Sequence, residues 1–284
     1  MVITGAGGQV GRVLADQAAC RGYDVSALRH ADLDITDPAA VAPHVAGADL
    51  VVNCAAFTNV DACESEPEAA QAINADGPGV IAAACADAGA RLIHISTDYV
   101  FRGDVFTGDR TTPYEVDDPV GPVSVYGRTK LGGETAVLAA LPGAHVVRTA
   151  WVYTGADGTD FVAVMRRLAA GDRVIDVVDD QTGSPTYSHD LVSALLEIAG
   201  GDIRPGILHA VNAGAVSRFD QARAVFAEVG ADPQRVRPVP TSAAPRPARR
   251  PVYSALSMVQ SVAAGLSPLR GWREALAAAI AAAP

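Results

Sequence analysis

The sequence, 284 residues long, is short of several things, and each shortage narrows what the chain can be. No apolar run reaches the roughly 18 residues needed to cross a bilayer, so no membrane partner is expected. Positive charge is scarce: Lys and Arg total 22 against 32 Asp and Glu, a formal net charge of −10. Neutralising nucleic-acid phosphates takes clustered Lys and Arg, so nucleic acid is not an expected partner and any anionic ligand must find a local basic site. There are only four cysteines, Cys20, Cys54, Cys63 and Cys85. Their spacing fits neither paired zinc ligands nor a dense disulfide framework, and they read as buried thiols of a reducing compartment. The start, Met1-Val2-Ile3-Thr4-Gly5, reads as a strand entering a glycine turn and lacks the basic and apolar regions of a secretory signal. A cytoplasmic protein is expected.

What is present is a chain of 49% hydrophobic residues with a regular alternation of patterns. Short apolar runs at 2–4, 24–28, 49–54, 91–97 and 145–150 read as strands, and helical spacing fills 10–21, 67–88 and 126–141 between them. The runs are apolar almost throughout rather than alternating, as strands covered by helices on both faces must be. The expected fold is α/β, a doubly wound parallel sheet of the Rossmann type. After Trp151 the rhythm changes. Helices are expected at 161–170, 188–200 and 218–230, strands at 173–178 and 207–211, and the proline- and arginine-dense 233–251 reads as extended rather than helix or strand. The expected division is a dinucleotide-binding domain over 1–150, with later segments returning to its sheet, and a smaller C-terminal substrate-binding lobe over 151–284.

The first strand runs into Thr4-Gly5-Ala6-Gly7-Gly8-Gln9-Val10-Gly11, with glycines at 5, 8 and 11 at the mouth of a helix. Gly5 permits a sharp turn, Gly8 a close approach of backbone to a pyrophosphate, and Gly11 packing of helix on strand, while free N–H groups at the helix start bind phosphate charge. After the second strand an NAD-binding chain usually presents Asp or Glu to the ribose hydroxyls. Arg29 and His30 stand there, and a cation suits the 2′-phosphate of NADP, although a solvated loop would read the same. Asp34 falls on the next loop, within reach of an adenine amino group. At the end of the third strand the small residues Ala55 and Ala56, followed by Phe57 and Thr58, would let a cofactor approach, or serve tight packing alone.

Tyr126 and Lys130 stand four apart, so in a helix they share a face. An ammonium beside a phenol favours the phenolate and brings proton exchange within reach at neutral pH. The run 91–98 ends in Ser96, Thr97 and Asp98, and ligands of open α/β sheets sit at the carboxyl ends of strands, so Thr97 can donate to a substrate carbonyl oxygen.

With these motifs in place the chain resembles the extended short-chain dehydrogenase/reductases, and within them the family of dTDP-4-dehydrorhamnose reductases. The resemblance runs nearly end to end. It is carried by the glycine turn and by Ala55-Ala56-Phe57-Thr58-Asn59-Val60-Asp61, Glu64-Ser65-Glu66-Pro67, Ser96-Thr97-Asp98-Tyr99-Val100-Phe101, Tyr126-Gly127-Arg128-Thr129-Lys130, Arg148-Thr149-Ala150-Trp151-Val152-Tyr153 and Asp180-Gln181-Thr182-Gly183-Ser184-Pro185-Thr186. It implies a catalytic triad of Thr97, Tyr126 and Lys130, phosphate contacts from Gly8, Gln9 and Val10, an adenine flanked by Asp34 and Ile35, and a cofactor lined by Ala56, Phe57 and Thr58. It further implies substrate contacts from Thr97, Asp98 and Trp151 and a pairing of Arg250 with the substrate diphosphate.

The reaction implied is hydride transfer from NADPH, with NADH as the alternative, to the C4 ketone of a dTDP-linked 4-keto-6-deoxyhexose, in nucleotide-sugar synthesis for cell-envelope polysaccharide. Tyr126 would be the proton donor. Some relatives use Mg2+, which no ligand cluster in the sequence decides, and a homodimer stands beside a monomer. Two departures are that relatives begin with a few more residues before the first strand, and often carry another residue at Phe57. A dehydratase or epimerase of the same fold stays open, although a dehydratase would place a second acid where Tyr99 follows Asp98. A non-catalytic regulatory subunit also stays open, against which Tyr126 and Lys130 are retained.

Overall fold

In the strands of the first half, neighbouring apolar residues point to opposite faces of a sheet. In the computed structural model, which describes residues 1–103, 110–155 and 158–283, those faces are both covered. The strands are β1 (Val2–Thr4), β2 (Ser26–Leu28), β3 (Leu50–Asn53), β4 (Arg91–Thr97), β5 (His145–Thr149) and a sixth, Gly206–His209. All pair in parallel, in the order Gly206–His209, β5, β4, β3, β1, β2.

Ile3, Val52, Ile93 and Val147 face one side, against helices α1 (Gln9–Cys20) and Ser188–Ala199. Val2, Val51, Leu92 and Val146 face the other, against α2 (Pro38–Val45) and the helices Gly77–Ala88 and Val125–Ala140. From β1 the chain goes one way to β2 and then crosses back to β3 on the far side of β1. The crevice at this switch point, beyond the carboxyl ends of β1 and β3, is where such sheets bind ligands.

The helical pattern at 67–88 breaks into Pro67–Gln71, a wide turn at Ala72–Asp76 and Gly77–Ala88. Pro78 explains the break: it has no N–H to give Asn74, its ring crowds that carbonyl, and a π-type turn relieves both. The second half contains a core of its own, in which Tyr153, Met165, Phe226, Trp272 and Leu276 are buried between the helices Phe161–Ala169, Arg218–Glu228 and Trp272–Ala281. One expectation is corrected here. Within 233–251, Val236–Val239 is a strand, paired in parallel with Ile175–Val178. The pair is an isolated two-stranded ribbon, so one side of each strand carries no ladder and Pro238 fits without costing a hydrogen bond.

Candidate active site

The turn after β1 is built for close approach. Gly5 has φ +66, and a Cβ there would meet Ala55 N at 2.5 Å; a Cβ on Gly11 would meet Gly5 O at 2.4 Å. Glycine is thus required at both positions. Gly8 precedes α1 without any side-chain cap, which leaves the first N–H groups of the helix open towards the crevice. Asn53 locks the floor beneath: its Oδ1 accepts from Thr4 Oγ1 at 2.7 Å and from Ala55 N at 3.1 Å. Asn74, which belongs to none of the sequence motifs, grips the next residues, accepting from Phe57 N at 2.8 Å and donating to Phe57 O at 3.1 Å.

One cleft of about 890 Å³ joins these parts. Gly5, Gly8, Gln9, Val10 and Gly11 line one end of it, with Asp34 and Ile35 beside them. Ala55, Ala56, Phe57 and Thr58 form its wall, and Thr97, Asp98, Tyr126, Lys130 and Trp151 its other end. Two expected residues are not in the lining. Arg29 lies exposed at the rim beside Gly7, its N–H on Asp32 Oδ2 at 2.9 Å, while His30 enters the lining. Arg250 is held behind the cleft by Asp61, Nη2 to Oδ2 at 3.0 Å. Asp34 is occupied by Thr36, whose N–H and hydroxyl lie 2.9 and 2.7 Å from its Oδ1 and hold the carboxyl below its ordinary value.

Thr97 ends β4 and is buried; its hydroxyl donates to Asp98 Oδ1 at 3.0 Å and accepts from Tyr99 N at 3.2 Å. Tyr126 lies in the first turn of the Val125–Ala140 helix, which Ser124 caps through Gly127 N at 3.1 Å and Glu64 through Val125 N at 2.8 Å. Burial drives the Tyr126 phenol well above its ordinary value, and a hydrogen bond with Thr97 opposes this only in part. Here the expectation of a phenol drawn towards phenolate by Lys130 is corrected. The Lys130 ammonium is turned to Ile95 O, at 2.7 Å, and desolvation of the phenol wins, so Tyr126 stays protonated.

Burial also pulls Lys130 down to about 8, against the opposing pull of Glu134 and Cys54. Asp98 is pushed up to about 6 by burial, partly offset by hydrogen bonds from Ser254, at 2.5 Å, and Thr97. Glu134 is itself held by Arg148, Nη2 to Oε2 at 2.7 Å, and by Ser96 at 2.5 Å. Trp151 is the one non-glycine residue with positive φ, 47°, among the described residues. Among those residues no group of three or more His, Cys, Asp or Glu is arranged to hold a metal ion, and no helix is long and apolar enough to cross a membrane.

A sheet wound this way, with a glycine turn at the switch point and a Thr-Tyr-Lys group at the next strand end, defines a class. The class is the extended short-chain dehydrogenase/reductases, and the chain is an NAD(P)H-dependent oxidoreductase of that class. More narrowly, it belongs to the RmlD substrate-binding-domain family, whose model matches residues 1–283. It is 66% identical over 282 residues to a dTDP-4-dehydrorhamnose reductase of Mycolicibacterium smegmatis, covering 99% of this chain and 85% of the relative. Among solved structures it is similar to a dTDP-4-dehydrorhamnose reductase of Clostridium acetobutylicum, with 39% identity, 99% and 98% of the two chains covered and a TM-score of 0.91. It is also similar to the Bacillus anthracis enzyme of that name, solved in complex with NADP, at 34% identity, with 97% and 96% covered and a TM-score of 0.89.

Proposed function

We propose that this chain reduces the C4 ketone of dTDP-4-dehydro-L-rhamnose to give dTDP-L-rhamnose, as its relatives' names state of them, in the cytoplasm. The observation that carries the reading is the meeting of a buried Thr97 hydroxyl with a protonated Tyr126 phenol at the end of β4, Lys130 one helical turn beyond.

The cleft suits NADPH. The uncapped start of α1, the two glycines that admit no Cβ, and the Ala55–Ala56 wall would hold a dinucleotide, with Gln9 and Val10 at its phosphates and Asp34 and Ile35 about its adenine. Arg29 at the rim and His30 in the lining favour a 2′-phosphate and hence NADPH over NADH. NADPH, when bound, supplies the hydride.

The residues of the chain do the rest. As charge grows on the ketone oxygen, Tyr126 gives it a proton, and the high pKa of the phenol keeps that proton available across the neutral range. Lys130, charged below about pH 8, stabilises the tyrosinate left behind once its ammonium turns from Ile95 O towards the phenol. Thr97 needs only a rotation of its hydroxyl to turn its proton from Asp98 to the same oxygen. Trp151 and Asp98 contact the sugar; Arg250, held by Asp61 behind the cleft, would have to swing into it to reach the nucleotide end. The dehydratase alternative lacks its second acid: the position is Tyr99, a phenol that burial pushes up to about 12.

Tyr126→Phe is expected to lower kcat by roughly 100-fold or more, the size of a general-acid contribution, while NADPH affinity holds. Steady-state kinetics with purified dTDP-4-dehydro-L-rhamnose, together with an NADPH titration, tests this; wild-type turnover in the variant would remove Tyr126 from the reaction.

A further inference from the structure

We infer that Arg218 is an anion-recognition residue of this cleft, placed to pair with the diphosphate that joins nucleoside to sugar. The inference rests on the reading of the substrate as a dTDP-sugar.

Arg218 opens the Arg218–Glu228 helix, its backbone N–H bonded to Gln181 O at 3.0 Å, and it lines the cleft. Its guanidinium lies over the Trp151 ring, 3.4 Å from the centroid, and 4.7 Å from that of Phe161. Stacking occupies the faces of a guanidinium and leaves its N–H groups pointing outward in the plane, the geometry that takes a phosphate in two bonds. One of those groups is used: Nη1 donates to Gln221 Oε1 at 3.2 Å. Among the described residues Arg218 forms no salt bridge.

A cation in that position is unbalanced. Burial draws Arg218 down to about 10; Asp98 and Tyr99 oppose this, and the neighbouring Arg250 adds to it. Asp98 is a nearby counter-charge but forms no salt bridge with Arg218; its oxygens are bonded by Thr97 and Ser254. Arg250 carries the same deficit: Nη2 is paired with Asp61, but Nη1 is buried without a partner. Two neighbouring guanidiniums, Arg218 in the lining and Arg250 behind it, both with unspent N–H groups, call for a ligand with two negative charges.

The other cations of the lining are placed elsewhere. Arg12 and His30 stand at the glycine-turn end, and Lys130 is bonded to Ile95 O. The strained Trp151 backbone fits the same purpose. Its indole is packed tightly against Gly183, where a Cβ would lie 2.4 Å from the ring, so the platform under Arg218 is backed on its other side.

The test compares dTDP, thymidine and NADPH by calorimetric titration of the wild type, Arg218→Met and Arg218→Lys. Arg218→Met should weaken dTDP roughly 10- to 100-fold, the loss of one charge-assisted pairing, and leave thymidine and NADPH unmoved. Arg218→Lys, which keeps the charge without the planar stack, should recover part of the loss. Unchanged dTDP affinity in Arg218→Met overturns the inference, as does an equal loss for dTDP and thymidine, which would make Arg218 a packing residue of Trp151. Should Arg218→Met fail to bind NADPH as a folded protein does, Arg218→Lys decides: weaker dTDP binding with thymidine and NADPH unchanged supports the inference, and dTDP binding as tight as in the wild type overturns it. A wild type that binds dTDP through Arg218 but does not reduce the 4-keto sugar overturns the proposed reaction and not this assignment.

Discussion

Lys130 is the chain's single lysine, and it is 2% exposed. The groups facing it come from three directions: Glu134 one turn further along its helix, Cys54 after β3, and His94 and the Ile95 carbonyl on β4. Desolvation outweighs them and brings the ammonium from 10.5 to about 8. Because the folded-state value is depressed, the charge is intact below that pH and is lost as pH rises through it. The kcat/KM profile should therefore fall on its alkaline side near pH 8. Glu134→Gln should move that fall to lower pH, since it removes the carboxylate that supports the ammonium and leaves Arg148 uncompensated nearby. Protein labelled with 15N only at lysine offers one side-chain signal to titrate beside the kinetics. A midpoint at the ordinary 10.5 would sink the argument. That Tyr126, Lys130 and Thr97 meet at one end of the cleft was legible in the sequence, because spacing along a helix and position at a strand end are properties of sequence. Arg218 was not, since an arginine at a helix start looks solvated until Trp151 is seen beneath it.

The helix that carries Tyr126 owes its position to glycines. Each costs about 1 kcal/mol relative to alanine inside a helix, so each needs a reason to be there. A Cβ on Gly127 would lie 2.3 Å from Tyr99 O, and one on Gly133 would lie 2.2 Å from Asn74 O. The helix thus sits directly on the turn after β4 and on the wide turn at Ala72–Asp76. Gly127→Ala should lift its first turn away from Thr97 and lower kcat by about 100-fold, the cost of a misplacement near 1 Å. Gly143→Ala, in open space after the helix, should change nothing. Equal kcat in the two variants would show that Tyr126 tolerates the displacement. The strands were readable because burial on both faces leaves continuous apolar runs. The interruption at Ala72–Asp76 was hidden, because apolar spacing passes through Pro78 without a break and only backbone sterics reveal it. Glycines inside a helix, read as forced approaches, were the signal that would have located both contacts.

Beyond Trp151 the chain order says little about which layer a segment joins. Ser188–Ala199 and Gly206–His209 return to the large sheet, whereas the segments on either side of them build the second core. Local pattern is blind to this, since a helix with one apolar face suits either core. One link between the two halves across the cleft is Asp160. Its Oδ1 caps the Phe161–Ala169 helix at Ala163 N, 2.9 Å, and its Oδ2 accepts from Thr154 N at 3.2 Å and Oγ1 at 3.0 Å. The same Oδ2 accepts from Gln9 Nε2 at 3.1 Å, and Gln9 belongs to the glycine turn after β1. A ligand that settles that turn therefore settles the start of the lobe helix as well, and a dinucleotide and a nucleotide sugar should each tighten the other. Asp160→Ala should cost about 0.5–2 kcal/mol of stability as a lost cap, read by urea unfolding. It should also uncouple the ligands. In the wild type, saturating dTDP should raise NADPH affinity about 5-fold or more, and by linkage NADPH should raise dTDP affinity by the same factor. In Asp160→Ala that factor should approach one, and a coupling factor equal in both proteins would mean that the two halves communicate by another route.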